Sequence, residues 1–145
     1  MLGELGIKGA TVDLVQAGLA AGATDLFSSS VDMAGFGGCL FVGIIGAQDV
    51  TATSFLKVQH SDDDQNWTYC QTALVEPPAN QDDKLIVIDV QRPRKRYLRT
   101  ELDRTGTTTW GGTVAIRYLA RGTPIPIGAS HATGSPVQAV SDPDL

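Results

Sequence analysis

The chain has 145 residues, 42% apolar and 19% charged. That is enough for one domain burying about 68–70% of the surface its unfolded chain exposes, and the 16 Gly and seven Pro fall well short of collagen-like or low-complexity content. The net charge of −5, from 11 Lys and Arg against 16 Asp and Glu, argues against duplex nucleic acid as a partner, because phosphate neutralisation needs a surplus of cations.

No basic segment followed by an apolar one opens the chain, so no secretory signal is expected. Thr11 is placed to cap a short helix over Val12-Asp13-Leu14-Val15-Gln16-Ala17, where Asp13 would suit the helix dipole. Gly18 and Gly22 oppose it, at about 1 kcal/mol each against Ala. Residues 1–22 therefore read as an N-terminal arm or a short helix. From Thr24 the period becomes two, the signature of strands. Phe27, Val31 and Met33 share one parity. Cys39 to Ile45 is apolar on both sides, as in a central strand covered twice. The apolar run Cys39 to Ala47 is far shorter than the roughly 20 residues of a membrane helix, so no membrane is expected. Thr53 to His60 sets Leu56 and Val58 against Lys57 and Gln59. Trp67 to Leu74 alternates aromatic and small polar residues, and Leu85 to Val90 is apolar. Leu98, Thr100 and Leu102 oppose Tyr97, Arg99, Glu101 and Asp103, while Val114, Ile116 and Tyr118 oppose Arg117.

Turn-rich loops separate these seven strands, among them Gly46 to Ala52, Ser61 to Asn66, Pro77 to Asp83 and Thr105 to Gly112. Short strands without crossover helices predict an all-β, antiparallel β-sandwich, jelly-roll-like, of about seven to eight strands over residues 23–121. Residues 122–145 carry Pro124, Pro126, Pro136 and Pro143 and few large apolar groups beyond Ile125, Ile127 and Val137. They read as an extended C-terminal arm that gains order against neighbouring subunits.

Catalytic chemistry has little support. There is no Gly-x-Ser-x-Gly elbow, no favoured carboxylate pair, and the glycines at 35, 37 and 38 precede a strand rather than the helix that a phosphate loop needs. No catalytic residue and no cofactor are expected. Asp62, Asp64 and Asn66 have the spacing that opens a calcium loop, but Trp67 stands where glycine belongs and Ala73 where a bidentate Glu belongs, so the segment reads as a polar hairpin loop. His60, His131, Cys39 and Cys70 lack paired zinc spacing, and no metal is expected. His60 shares the parity of Leu56 and Val58 and reads as a core-edge residue. A Cys39–Cys70 bridge stays open, dependent on their strands being neighbours. Arg92, Arg94, Lys95, Arg96 and Arg99 form the one basic cluster, a candidate contact with an acidic protein surface. Trp67, Tyr69 and Trp110 are candidate glycan-stacking residues.

The stretch Val31-Asp32-Met33-Ala34-Gly35-Phe36-Gly37-Gly38, the apolar strand after it, the hairpin Gln59-His60-Ser61-Asp62-Asp63-Asp64-Gln65-Asn66-Trp67, the strand Tyr97-Leu98-Arg99 and the last strand Gly111-Gly112-Thr113-Val114-Ala115 together resemble the small β-sandwich structural proteins of tailed bacteriophages, some of which are capsid decoration, or cement, proteins. The likeness spans about Val31 to Ala120. Asp64 departs from it, since glycine is common there, and the turn type stays open. The resemblance implies a non-enzymatic virion protein made in the host cytoplasm, bound to the major capsid protein on the capsid exterior, and homo-oligomeric, as a trimer. Candidate contacts are Arg92, Arg94, Lys95 and Arg96 with Ile125, Ile127 and Val137 of the C-terminal arm. The alternatives are another virion component, in the tail or head–tail joint, and a carbohydrate-binding module for host attachment.

Overall fold

A computed structural model describes residues 9–48, 54–75, 82–104 and 107–119. Ile125, Ile127 and Val137, with the rest of the expected C-terminal arm and His131, lie outside the described residues. The described chain is all β. In order its strands are β1 (Thr11–Gln16), β2 (Leu19–Gly22), β3 (Leu26–Phe27), β4 (Val31–Asp32), β5 (Gly38–Gln48), β6 (Ser54–Ser61), β7 (Thr68–Val75), β8 (Lys84–Gln91), β9 (Tyr97–Arg104) and β10 (Thr108–Tyr118).

These strands form two antiparallel sheets packed as a sandwich. Sheet A has the order β1-β10-β5-β8, with β2 beside β1 on the same edge of β10. Sheet B has the order β3-β9-β6-β7, with β4 beside β3 on β9. Because β1 and β2 share one edge and β3 and β4 another, the strands fill eight places, in the order of a jelly roll. The expected fold class is the observed one.

The core follows from the alternation. Phe41 and Ile45 of β5, Ile86 and Ile88 of β8, Leu56 and Val58 of β6, Leu98 and Leu102 of β9, and Trp110 and Ala115 of β10 all point between the sheets. Burying each large side chain contributes about 1.5–3 kcal/mol relative to leaving it exposed.

The N-terminal expectation needs correction. Residues 11–16 are neither helix nor arm, but a strand in register with β10, Val12 opposite Ile116 and Leu14 opposite Val114. Their pattern hides this, because the polar parity points inward. Thr11, Asp13 and Val15 are buried, while Val12 and Leu14 are exposed. The inward carboxylate is tolerable because Asp13 Oδ2 accepts from Arg117 Nη2 at 2.9 Å. Arg117 Nη1 also donates to the Asp32 carbonyl at 2.8 Å, and the guanidinium lies 4.7 Å from the Phe36 ring centroid, which ties sheet A to the turn after β4. Near the N-terminal end of β10, buried Arg104 donates to the carbonyls of Ala20, Thr24 and Thr108 and so fixes β2.

Two loops also differ from expectation. β5 runs on to Gln48, and β10 starts at Thr108 rather than after Gly112. Trp110, a candidate glycan-stacking residue within the expected loop, is 1% exposed, with its Nε1 donating to Thr113 Oγ1 at 3.1 Å. The two cysteines are free, Cys39 in sheet A and Cys70 in sheet B. Burial pushes the Cys39 thiol up to about 12, so it behaves as a small core residue.

Candidate functional site

Each sheet turns one parity of its strands away from the core, and the two outer faces differ in chemistry. On sheet A the outward residues are apolar across the sheet. Leu14, Val114, Val42 and Val87 stand in one cross-strand row, and Val12, Ile116 and Leu40 in the next, which ends on Asp89. Ile44 and Leu85 form a third. Leu14 is 51% exposed and Leu85 64%, while Leu40 and Val42 are half-buried. The expectation that β5 is covered on both sides therefore holds only on the core side, since its outer side belongs to this open apolar surface.

Sheet B presents the opposite character. Phe27 of β3, Phe55, Lys57 and Gln59 of β6, Tyr69 of β7, and Arg99, Glu101 and Asp103 of β9 share its outer face, through the pairs Phe27 with Glu101, Lys57 with Glu101, and Gln59 with Arg99 and Tyr69. The Arg99 guanidinium carbon lies 4.3 Å from the Trp67 ring centroid and 4.5 Å from that of Phe27. Its Nε donates to Gln59 Oε1 at 2.8 Å. Gln59 Nε2 reaches Glu101 Oε2 at 3.4 Å, and Lys57 Nζ pairs with Asp103 Oδ2 at 2.7 Å. The Glu101 carboxylate also accepts from the Tyr69 hydroxyl, which raises the Tyr69 pKa, with burial as a further cause. Glu101 is 5% exposed and Gln59 6%, although they sit on an outward parity.

Of the candidate glycan residues, Trp67 and Tyr69 belong to this face. Trp110 does not, because it is buried on the inner side of the other sheet. The alternation in β9 already set Arg99 and Glu101 apart from the core residues. Phe27, Phe55 and Gln59 join them only through pairing between distant strands, so no local signal could have found the group.

The basic cluster is divided by the fold. Arg96 makes a two-pronged pair with Asp32, Nε to Oδ1 at 3.0 Å and Nη2 to Oδ2 at 2.8 Å, which holds the Asp32 carboxyl below its ordinary range. Lys95 lies 3.6 Å from Asp62 and 3.4 Å from Thr68 Oγ1. Arg99 turns to the sheet B face. Arg92 and Arg94 are exposed in the turn after β8, the edge strand of the apolar face.

The acidic hairpin is organised from within. Asp63 Oδ1 accepts from the backbone N–H groups of Gln65 and Asn66 and from Ser61 Oγ, and Oδ2 accepts from Asn66 Nδ2. These bonds, those from Asn66 foremost, hold its carboxyl far below the usual carboxylate range. Asp64 has φ 59°, which answers the open turn type: an aspartate occupies the left-handed position that a glycine would take freely. Among the described residues no group of three or more His, Cys, Asp or Glu side chains gathers for a metal ion.

No family model and no curated protein matches the chain. Among solved structures it is similar to the PBSX exported protein XepA, with 20% identity over 93% of this chain and a TM-score of 0.51. That likeness covers 44% of XepA, so the chain spans less than half the length of that protein. A xylan-binding domain from CBM 22 is similar at 12% identity over 84% of this chain and 94% of its own, with a TM-score of 0.41. The C-terminal family 22 carbohydrate binding module of Clostridium thermocellum Xyn10B follows at 13% identity over 85% and 93%, with a TM-score of 0.37. The likeness to XepA is one of fold, a β-sandwich.

Proposed function

We propose that the protein is a non-enzymatic virion component of a tailed bacteriophage, which binds the outer capsid surface and stabilises it by bridging neighbouring capsid subunits. The observation that carries this reading is the apolar outer face of sheet A. A contiguous apolar surface spanning a whole sheet favours burial against protein, and a homo-oligomer, taken here as the trimer that the phage resemblance implies, would bury it on each copy. Arg92 and Arg94, at the end of edge strand β8, supply a cationic rim suited to an acidic surface of the major capsid protein. The task needs contact area shared among several partners rather than reactive groups, so individually modest contacts add through multivalency.

The test uses the full chain. Analytical ultracentrifugation should find an oligomer, and the protein should add saturably to bare capsids of the phage that encodes it. Leu85→Glu with Val87→Glu should give a folded monomer with reduced capsid occupancy. Charge reversal at Arg92 and Arg94 should weaken capsid binding in a salt-dependent way. A wild-type monomer that ignores capsids would end the proposal. Copy number per particle separates a decoration protein, present in proportion to capsid subunits, from a tail or joint component present in a handful of copies.

A further inference from the structure

We infer that the outer face of sheet B is a second and separate binding site, for an uncharged saccharide. It lies on the opposite side of the sandwich from the apolar face and does not depend on it.

Burial is the first reason. Outward-facing polar residues on a sheet are ordinarily wet, yet Glu101 and Gln59 are 5% and 6% exposed. Removing a carboxylate from water is costly unless hydrogen bonds replace the lost solvent. Here they do, through the Tyr69 hydroxyl and the Gln59 amide. The result is a pre-organised floor of hydrogen-bonding groups, held still by a chain of contacts from Trp67 and Phe27 through Arg99 and Gln59 to Glu101. Fixed polar groups among aromatic side chains are the composition of a small-molecule site.

Charge balance narrows the ligand. Lys57 and Arg99 offset Glu101 and Asp103, and the whole chain carries −5. Such a face does not select a phosphate, a sulfate or a nucleic acid strand. Above the buried floor, the Lys57 ammonium and the Asp103 carboxylate, 25% and 27% exposed, set a donor beside an acceptor, as a vicinal pair of sugar hydroxyls requires. The rings supply the rest. Tyr69 is 51% exposed and Phe27 half-exposed, so each offers an apolar surface to the C–H face of a pyranose.

The probes are an array of neutral and sulfated oligosaccharides, followed by calorimetry of the full chain with the strongest neutral one. At least one neutral oligosaccharide should bind with little salt dependence. Tyr69→Ala and Phe27→Ala should each weaken it about tenfold, the loss of one stacking contact. Glu101→Gln should weaken it further. Phe27 is half-exposed and bonds to no part of the buried floor, so its variant should remain folded even if Glu101→Gln, or Tyr69→Ala, which removes a bond to Glu101, does not. The sheet A variant Leu85→Glu should bind the sugar as wild type does, so this site and the capsid contact can fail independently. No neutral binding tighter than about 1 mM, binding to sulfated glycans alone, or binding untouched by Tyr69→Ala and Phe27→Ala would overturn the inference.

Discussion

Gly43 leaves the space that the indole of Trp110 fills. A Cβ built on Gly43 would lie 2.6 Å from Cζ2 of the ring and 2.7 Å from Cη2, and 3.3 Å from Leu56 Cδ2 on the facing sheet. The indole is the largest fully buried side chain, and it sits where β10 passes β5 with Trp110 opposite Ile45 and Thr113 opposite Gly43. A missing side chain on one strand thus admits the bulkiest one from its neighbour, and the sheets close over both.

Gly43→Ala should therefore destabilise the protein by about 1–3 kcal/mol, the range for overpacking a core, because a rigid ring cannot yield as a flexible chain end would. Trp110→Leu should also destabilise by leaving a cavity. The double variant should lose less than the sum of the two, since the alanine methyl enters the vacated space. Urea unfolding of the three proteins checks this, and simple additivity would contradict the packing described.

The two Asp–Arg pairs should differ in weight. Asp13 and Arg117 have side chains 11% and 14% exposed, against 39% and 56% for Asp32 and Arg96. Asp13→Ala leaves a largely buried guanidinium without its carboxylate and should cost about 3 kcal/mol or more. Arg96→Ala removes an exposed pair and should cost about 1 kcal/mol or less. Chemical denaturation of both variants at one pH measures the contrast. Equal losses would mean that Arg117 is satisfied by the Asp32 carbonyl and Phe36 alone.

His60 should give the fold a pH dependence just below neutrality. Burial, and then Lys95 with a smaller effect from Arg94, hold its pKa below the ordinary 6.5, while Asp62 opposes them. The folded state thus binds fewer protons than the unfolded state once the pH falls below about 6.5. The stabilisation from neutral His60 is complete above that value and is lost as pH falls through the folded pKa. The urea midpoint should be lower at about pH 5 than at about pH 7.5, and His60→Gln should flatten that difference. Asp32 has the same sign, but its carboxyl is depressed below an ordinary 3.8 by Arg96, so its contribution is lost only at more acidic pH.

Local alternation was enough to place the middle of the chain in strands. Thr53 to His60 and Leu98 to Asp103 carry a period of two, Cys39 to Ile45 and Leu85 to Val90 are short apolar runs, and the lack of an amphipathic helical stretch left a sandwich as the architecture. Phe27 to Met33, read as one strand, is instead two short ones, β3 and β4, and the chain between them turns Phe27 outward while Val31 and Met33 point into the core. The same reasoning failed at β1, where Asp13 points inward to meet an arginine about a hundred residues away and Val12 and Leu14 point outward. It failed at Trp110 too, because a glycine-rich segment gives no local sign that Gly43 waits across the sheet.

What the amino-acid order determined unaided is therefore the longer strands of the middle and the all-β class, since side-chain alternation is written into consecutive residues. Only the tertiary structure decided which outward residues become neighbours. An apolar sheet face built from β1, β10, β5 and β8, and a polar aromatic one built from β3, β9, β6 and β7, exist only once segments far apart in the chain pair in register. Pairing of that kind depends on the twist, the bulges and the closure of the whole sandwich, and no window of sequence contains it.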